Sequence, residues 1–201
     1  MFRELLSATS ALALVVGLGG SARAACTAVT NPFQNFGTLD CVNVTNQTIN
    51  GSVSNGSTGT IGSPSSPQPG SLSISNSTIN GSVQNSGHIF ASGGTPVGIN
   101  VTGGSVITNG IINNSTGTIG VSNTTGHSIG INVSQSSFSG GITNNGVISV
   151  TNSSGSATGI SIGGSGGAGP APISPTSVTT PTTSSTTGSV TSFSSRGKHH
   201  N

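Results

Sequence analysis

The sequence has no Trp, no Tyr and little charge, with four Lys and Arg and two Asp and Glu in 201 residues. A typical soluble domain is about 25% charged. The formal net charge of +2 is too small to attract nucleic acid or an acidic membrane. Once a leader is removed (below), Asp40 is the single carboxylate side chain. Paired-carboxylate glycoside hydrolysis is excluded, because both of its geometries need two Asp or Glu beside the scissile bond. Acidic Ca²⁺ loops fail for the same reason, since a hard dication requires several anionic or carbonyl oxygens. Between residues 46 and 163 there is no Asp, Glu, Lys or Arg. A β-helix enzyme acting on polysaccharide through a carboxylate-bound metal and a basic residue would lack both parts.

The other candidate chemistries are thin. His88 and His127 fall in different registers of the repeat described below, one before Ile89 and one before Ile129. Nothing in their spacing makes them converge, and an acid to orient a Ser/His pair is missing. His199 and His200, behind Arg196 and Lys198, read as a basic terminus rather than a metal site. The GGSGG stretch carries no phosphate-loop Lys and opens no helix, so it reads as linker. The expectation is no catalytic residue, no cofactor and no metal. Asn-x-Ser/Thr triplets at Asn43, Asn46, Asn76, Asn100 and Asn132 are what an Asn-, Ser- and Thr-rich composition generates, and become glycan acceptors only in a eukaryotic secretory pathway. TGT occurs at 58–60 and 116–118 but not on every repeat, which argues against a regular ice-ordering Thr array.

Residues 1–24 read as a signal peptide. Arg3 and the terminal amine form a positive start, ALALVVGL (11–18) is an apolar run, and Ala22-x-Ala24 supplies the small-residue cleavage pattern. The run is well short of the ~20 residues a spanning helix needs. Export to an oxidising compartment follows, and there Cys26 and Cys41, the only two cysteines, either pair or stay as free thiols. The expectation is the bridge, because no Cys/His metal spacing gives them another use. The segment 25–45 would then be an N-terminal cap.

What the sequence does have is a repeat. NQTINGSV (46–53) returns as NSTINGSV (76–83). An apolar position recurs as Val53, Val83, Ile112 and Ile142, spaced 30, 29 and 30, with Asn two places on at Asn55, Asn85, Asn114 and Asn144. A second file follows at Ile61, Ile89, Ile119 and Ile148, and a third precedes each unit at Ile79, Val106 with Ile107, and Phe138. Between them, VGINV, IGINV and TGISI place Ile99 with Val101, Ile131 with Val133 and Ile160 with Ile162, and LSI (72–74) is a looser copy. Alternating β-branched residues bounded by Gly, Asn and Ser specify short strands with one buried face. Helix is disfavoured by the glycine density, at about 1 kcal/mol per Gly relative to Ala.

Three short strands in a repeat of about 30 residues predict an all-β chain, a right-handed parallel β-helix of about four rungs over 46–163. One rung cannot bury its own apolar face, whereas rungs stacked at about 4.8 Å line equivalent residues into internal columns. The Asn file would form an amide ladder, each amide donating to the next carbonyl. A disordered Ser/Thr/Asn-rich linker or glycan carrier is the alternative. The proline-rich stretch within 62–71 reads as an inserted loop, and 164–201 as a disordered low-complexity linker or tail.

The leader, the cysteine pair and the units GGITNNGVISV (140–150), TGHSIGINV (125–133) and ATGISIG (157–163) resemble the passenger region of bacterial autotransporters, the type V secretion proteins. The resemblance implies a parallel β-helix delivered to the surface of a Gram-negative cell by a C-terminal barrel, acting as an adhesin or stalk. It implies a cell-surface, extracellular or periplasmic location, and as partner a host or neighbouring cell surface, or self-association through the open solenoid end. No barrel-like run of amphipathic strands follows Gly163 in this sequence.

Overall fold

The computed structural model describes residues 26–29, 31–63, 70–134, 137–138 and 141–163. The expected leader and tail, and most of the proline-rich loop, lie outside the described residues. Within them the chain is all-β, a parallel solenoid of about four turns.

Each coil repeats the same strand series. The first strand of the series is β2 (Phe33–Asn35), β6 (Val53–Asn55), β10 (Val83–Asn85), β14 (Ile111–Asn113) and β17 (Ile142–Asn144), and these five stack in parallel as one sheet. The second and third are β3 (Thr38–Leu39) and β4 (Val42–Thr45), β7 (Thr60–Ile61) and β8 (Gly70–Ser75), then β11 (His88–Ser92) and β12 (Val97–Thr102). In the last two coils they fuse into 16-residue strands, β15 (Thr118–Val133) and β18 (Val147–Ile162). The last strand of the series is β5 (Thr48–Ile49), β9 (Thr78–Ile79), β13 (Val106–Ile107) and β16 (Ser137–Phe138), forming a third sheet. β1 (Thr27–Ala28) lies on β4 at the N-terminal end.

Local sequence sets the corners. Asn46 and Asn76 take φ of 54° and 49°, and Gly103 takes 65° at the equivalent bend. Asn and Gly are the residues that tolerate this left-handed region. The next corner has constant length, carrying Ile49 to Val53, Ile79 to Val83 and Ile107 to Ile111 across the same number of residues, mostly Asn, Gly and Ser.

The core is the set of stacked columns. Leu39, Ile61, Ile89, Ile119 and Ile148 share one register. Val42, Leu72, Ile99, Ile131 and Ile160 form a second, and Val44, Ile74, Val101, Val133 and Ile162 a third. Ile49, Ile79, Ile107 and Phe138 align in the short sheet. Inside the tube the aliphatic side chains between the two terminal coils, such as Ile61, Ile89, Ile99, Val101 and Ile119, are nearly inaccessible, each contributing about 1.5–3 kcal/mol by burial.

The structure corrects two expected columns by one residue on the fourth coil. The stack is Phe33, Val53, Val83, Ile111 and Ile142, and Ile112 pairs with Gln84 and Thr143 on the outer face. The amide ladder likewise runs through Asn113 in place of Asn114, whose Nδ2 donates to Ser86 Oγ at 2.8 Å outside the tube. The cause is the constant corner: once Ile107 points inward, the next inward residue is Ile111, and period two then turns Ile112 out and Asn113 in. In the third file Ile107 is the buried member and Val106 is 39% exposed. The solenoid also starts earlier than residue 46. β2, β3 and β4 pair in register with β6, β7 and β8, so the segment read as a cap supplies a coil of its own, pinned by the Cys26–Cys41 disulfide.

Candidate functional site

The inner wall is a positioning device for the outer one. Asn35 Nδ2 donates to Asn55 Oδ1, Asn55 to Asn85 and Asn85 to Asn113, each at 2.8 Å, and Asn113 to Asn144 at 2.7 Å. The amide nitrogens of Asn35, Asn55, Asn85 and Asn113 also reach the carbonyl of a strand's first residue, for instance His88 O from Asn55 and Val147 O from Asn113. The ladder leaves no room beside it: a Cβ at Gly87 would lie 2.1 Å from Gly59 O, and one at Gly146 2.2 Å from Gly117 O. Among the described residues every buried side-chain nitrogen and oxygen has a partner, as a rigid, fully satisfied polar network requires.

Because inner residues alternate with outer ones, the same register aligns the solvent-facing side chains. Asn43, Ser73, Asn100, Asn132 and Ser161 stand in one outward file, with Thr45, Ser75 and Thr102 beside it. Asn132 Nδ2 donates to Asn100 Oδ1 at 2.8 Å, and the Thr45 and Ser75 hydroxyls lie 3.3 Å apart. Thr38, Thr60, His88, Thr118 and Val147 form another file. Alongside it the His88 and Phe90 rings stack at 5.7 Å with 6° between planes. The Asn, Ser and Thr members present uncharged donors and acceptors at a spacing of about 4.8 Å per coil, with the His88–Phe90 ring pair beside them.

A third feature is a two-layered rib where β15 and β18 bend between their two arms. Residues 122–127 and 151–156 are largely exposed there, and the strands stay in register through Asn123↔Asn152 and Gly126↔Gly155. Side chains tie the layers: Ser154 Oγ donates to Thr124 O at 2.8 Å, and Asn152 Nδ2 to Gly126 O at 2.9 Å.

The titratable residues are not gathered. Asp40 is exposed on the first coil between β3 and β4, His88 is on the third coil, and His127 is on the rib of the fourth. At about 4.8 Å per coil, Asp40 lies roughly 10 Å along the axis from His88. The structure does bring Ser156 Oγ against His127 Nδ1, a pair that the sequence reading missed although the two residues are register partners. Asp40, three coils from His127, is the sole carboxylate side chain among the described residues, so no acid is placed to orient that imidazole. Among the described residues no group of three His, Cys, Asp or Glu could hold a metal ion. Of the Asn-x-Ser/Thr positions, Asn46 and Asn76 occupy the left-handed corners, while Asn43, Asn100 and Asn132 share the outward file.

No helix among the described residues is long and apolar enough to cross a membrane. Comparison of the chain with protein-family models, with curated proteins and with solved structures finds no match.

Proposed function

We propose that this chain is a non-catalytic exported surface protein, built like an autotransporter passenger, whose outer files bind a neutral, hydroxyl-rich surface on another cell. The observation that carries this reading is the outward row Asn43, Ser73, Asn100, Asn132 and Ser161, held in line by the stacked core and free of charge. Fixed neutral donors and acceptors match polysaccharide hydroxyls, and a pre-ordered row loses little entropy on binding. The alternative of a disordered linker does not fit the buried columns of residues 33–162.

Adhesion of beads coated with the chain to cells, and to immobilised neutral polysaccharide, tests the proposal. The expected result is saturable binding that N100A/N132A weakens severalfold while the far-UV circular dichroism is unchanged. Binding indifferent to replacement of the whole outward file would overturn it.

A further inference from the structure

The two ends of the tube differ. At the N-terminal end β1 covers β4 and is tied by the Cys26–Cys41 bridge, and Val42 and Val44 beneath it are buried, while Leu39 on the neighbouring edge strand β3 is partly buried. At the other end, among the described residues, no strand lies beyond the last coil. Ile148, Val150, Ile160 and Ile162 are only partly buried, whereas their partners one coil back, Ile119, Val121, Ile131 and Val133, are 0–2% exposed. Among the described residues β18 pairs with β15 alone, which leaves a 16-residue strand with one open edge. That edge carries no charged residue of the kind that keeps sheet edges from pairing.

We infer that this open end is a homodimer interface, in which β18 pairs antiparallel with β18 of a second copy about a two-fold axis through Gly155. The strand sequence is self-complementary in that register. Ile148 comes opposite Ile162 of the second copy and Val150 opposite Ile160, so all four half-buried aliphatics are inward on both sides. Ser149 faces Ser161 on the outer surface, and the exposed rib meets its copy at Gly155, where no side chain intervenes. In that register residues 147–163 of the two copies lie opposite each other, a contact at the small end of specific interfaces. Because a two-fold contact uses the same patch on both copies, the association closes at two copies instead of growing head to tail.

The sequence after Gly163 argues for a second copy over the chain's own continuation. It contains prolines at 170, 172, 175 and 181 and no Asn before Asn201. It therefore lacks the amide to extend the ladder and an unbroken row of backbone donors. The inference is independent of what the outer files bind.

Sedimentation velocity of the exported chain over a wide dilution series, with hydrogen exchange of the β18 amides, tests it. The expected result is twice the monomer mass, with β18 protection that falls on dilution. S149K/S161K sets like charges opposite each other across the two-fold and should give monomers. S149K/S161E has the same bulk, pairs opposite charges and should remain dimeric, which separates loss of the interface from loss of the fold. A monomer at every concentration overturns the inference, and concentration-independent β18 protection would then name the continuing chain as the cover. A dimer that S149K/S161K leaves intact overturns it equally.

Discussion

Ile111 stacks on Val83 inside the tube, and Ile112, the next residue, stacks on Gln84 outside it. Two adjacent isoleucines thus have opposite fates, and their substitution should show it. Ile111→Ala removes a fully buried side chain and is expected to cost about 2–5 kcal/mol. Ile112→Ala, at a half-exposed outer position, should cost about 1 kcal/mol or less. Urea midpoints at constant m-value measure both, and equal losses would place the fourth coil in the wrong register.

The ladder makes a parallel prediction for the neighbouring asparagines. Asn113→Ala orphans the Nδ2 of Asn85 and the Oδ1 of Asn144 from their ladder bonds. At about 1–2 kcal/mol for each buried group left short, destabilisation of about 2–4 kcal/mol is expected. Asn114→Ala removes one part-buried bond to Ser86 and should cost about 0.5 kcal/mol. Thermal melts of the two variants would separate clearly.

Gly87 and Gly159 differ in the room around them. A methyl at Gly87 would overlap Gly59 O and Gly56 O, whereas nothing lies within 4 Å of a Cβ at Gly159. Gly87→Ala should destabilise by about 1–3 kcal/mol through overpacking against backbone. In the dissociated monomer, Gly159→Ala is expected to be neutral or to stabilise by up to about 1 kcal/mol by reducing the freedom of the unfolded chain. Comparable melting temperatures for the two would contradict the close packing of the turn beside the ladder.

Cys26 and Cys41 close a loop with a sequence separation of 15. The chain-entropy account assigns such a loop about 3 kcal/mol. C26S/C41S should therefore melt several degrees lower, and its first loss of hydrogen-exchange protection should fall at Thr27–Ala28, the short strand held against Val42–Asn43. Unchanged protection of β1 would mean that the strand is held by its own pairing.

Much of this fold can be read in the linear chain. Val53, Val83 and Ile142 and the files through Ile61 and Ile99 follow from period two within strands and period 30 between them; the Cys26–Cys41 pairing was legible instead from two nearby cysteines with no metal-ligand spacing. The absence of charge from 46 to 163 is likewise a property of the linear chain that folding cannot change.

The parts that sequence reading misplaced, or did not reach, are those where spacing is ambiguous. The steps from Ile61 to Leu72, Ile89 to Ile99 and Ile119 to Ile131 differ by one or two residues. A count along the chain cannot tell whether such a difference belongs to a loop or to a strand, yet a one-residue slip turns every side chain to the other face. The constant corner from Ile49 to Val53 and from Ile79 to Val83 was the available signal for Ile111. The first coil was hidden by its brevity, since β3 passes to β4 through Asp40 and Cys41 alone.

The sequence by itself determined that this protein is a stack of strands with a greasy inside and a neutral outside, because alternation and composition are local properties. Only the tertiary structure decided which of two adjacent residues faces inward, that Ser156 meets His127, and that β18 pairs with β15 alone among the described residues. Those depend on which coil lies on which, and stacking is a relation between residues some thirty positions apart.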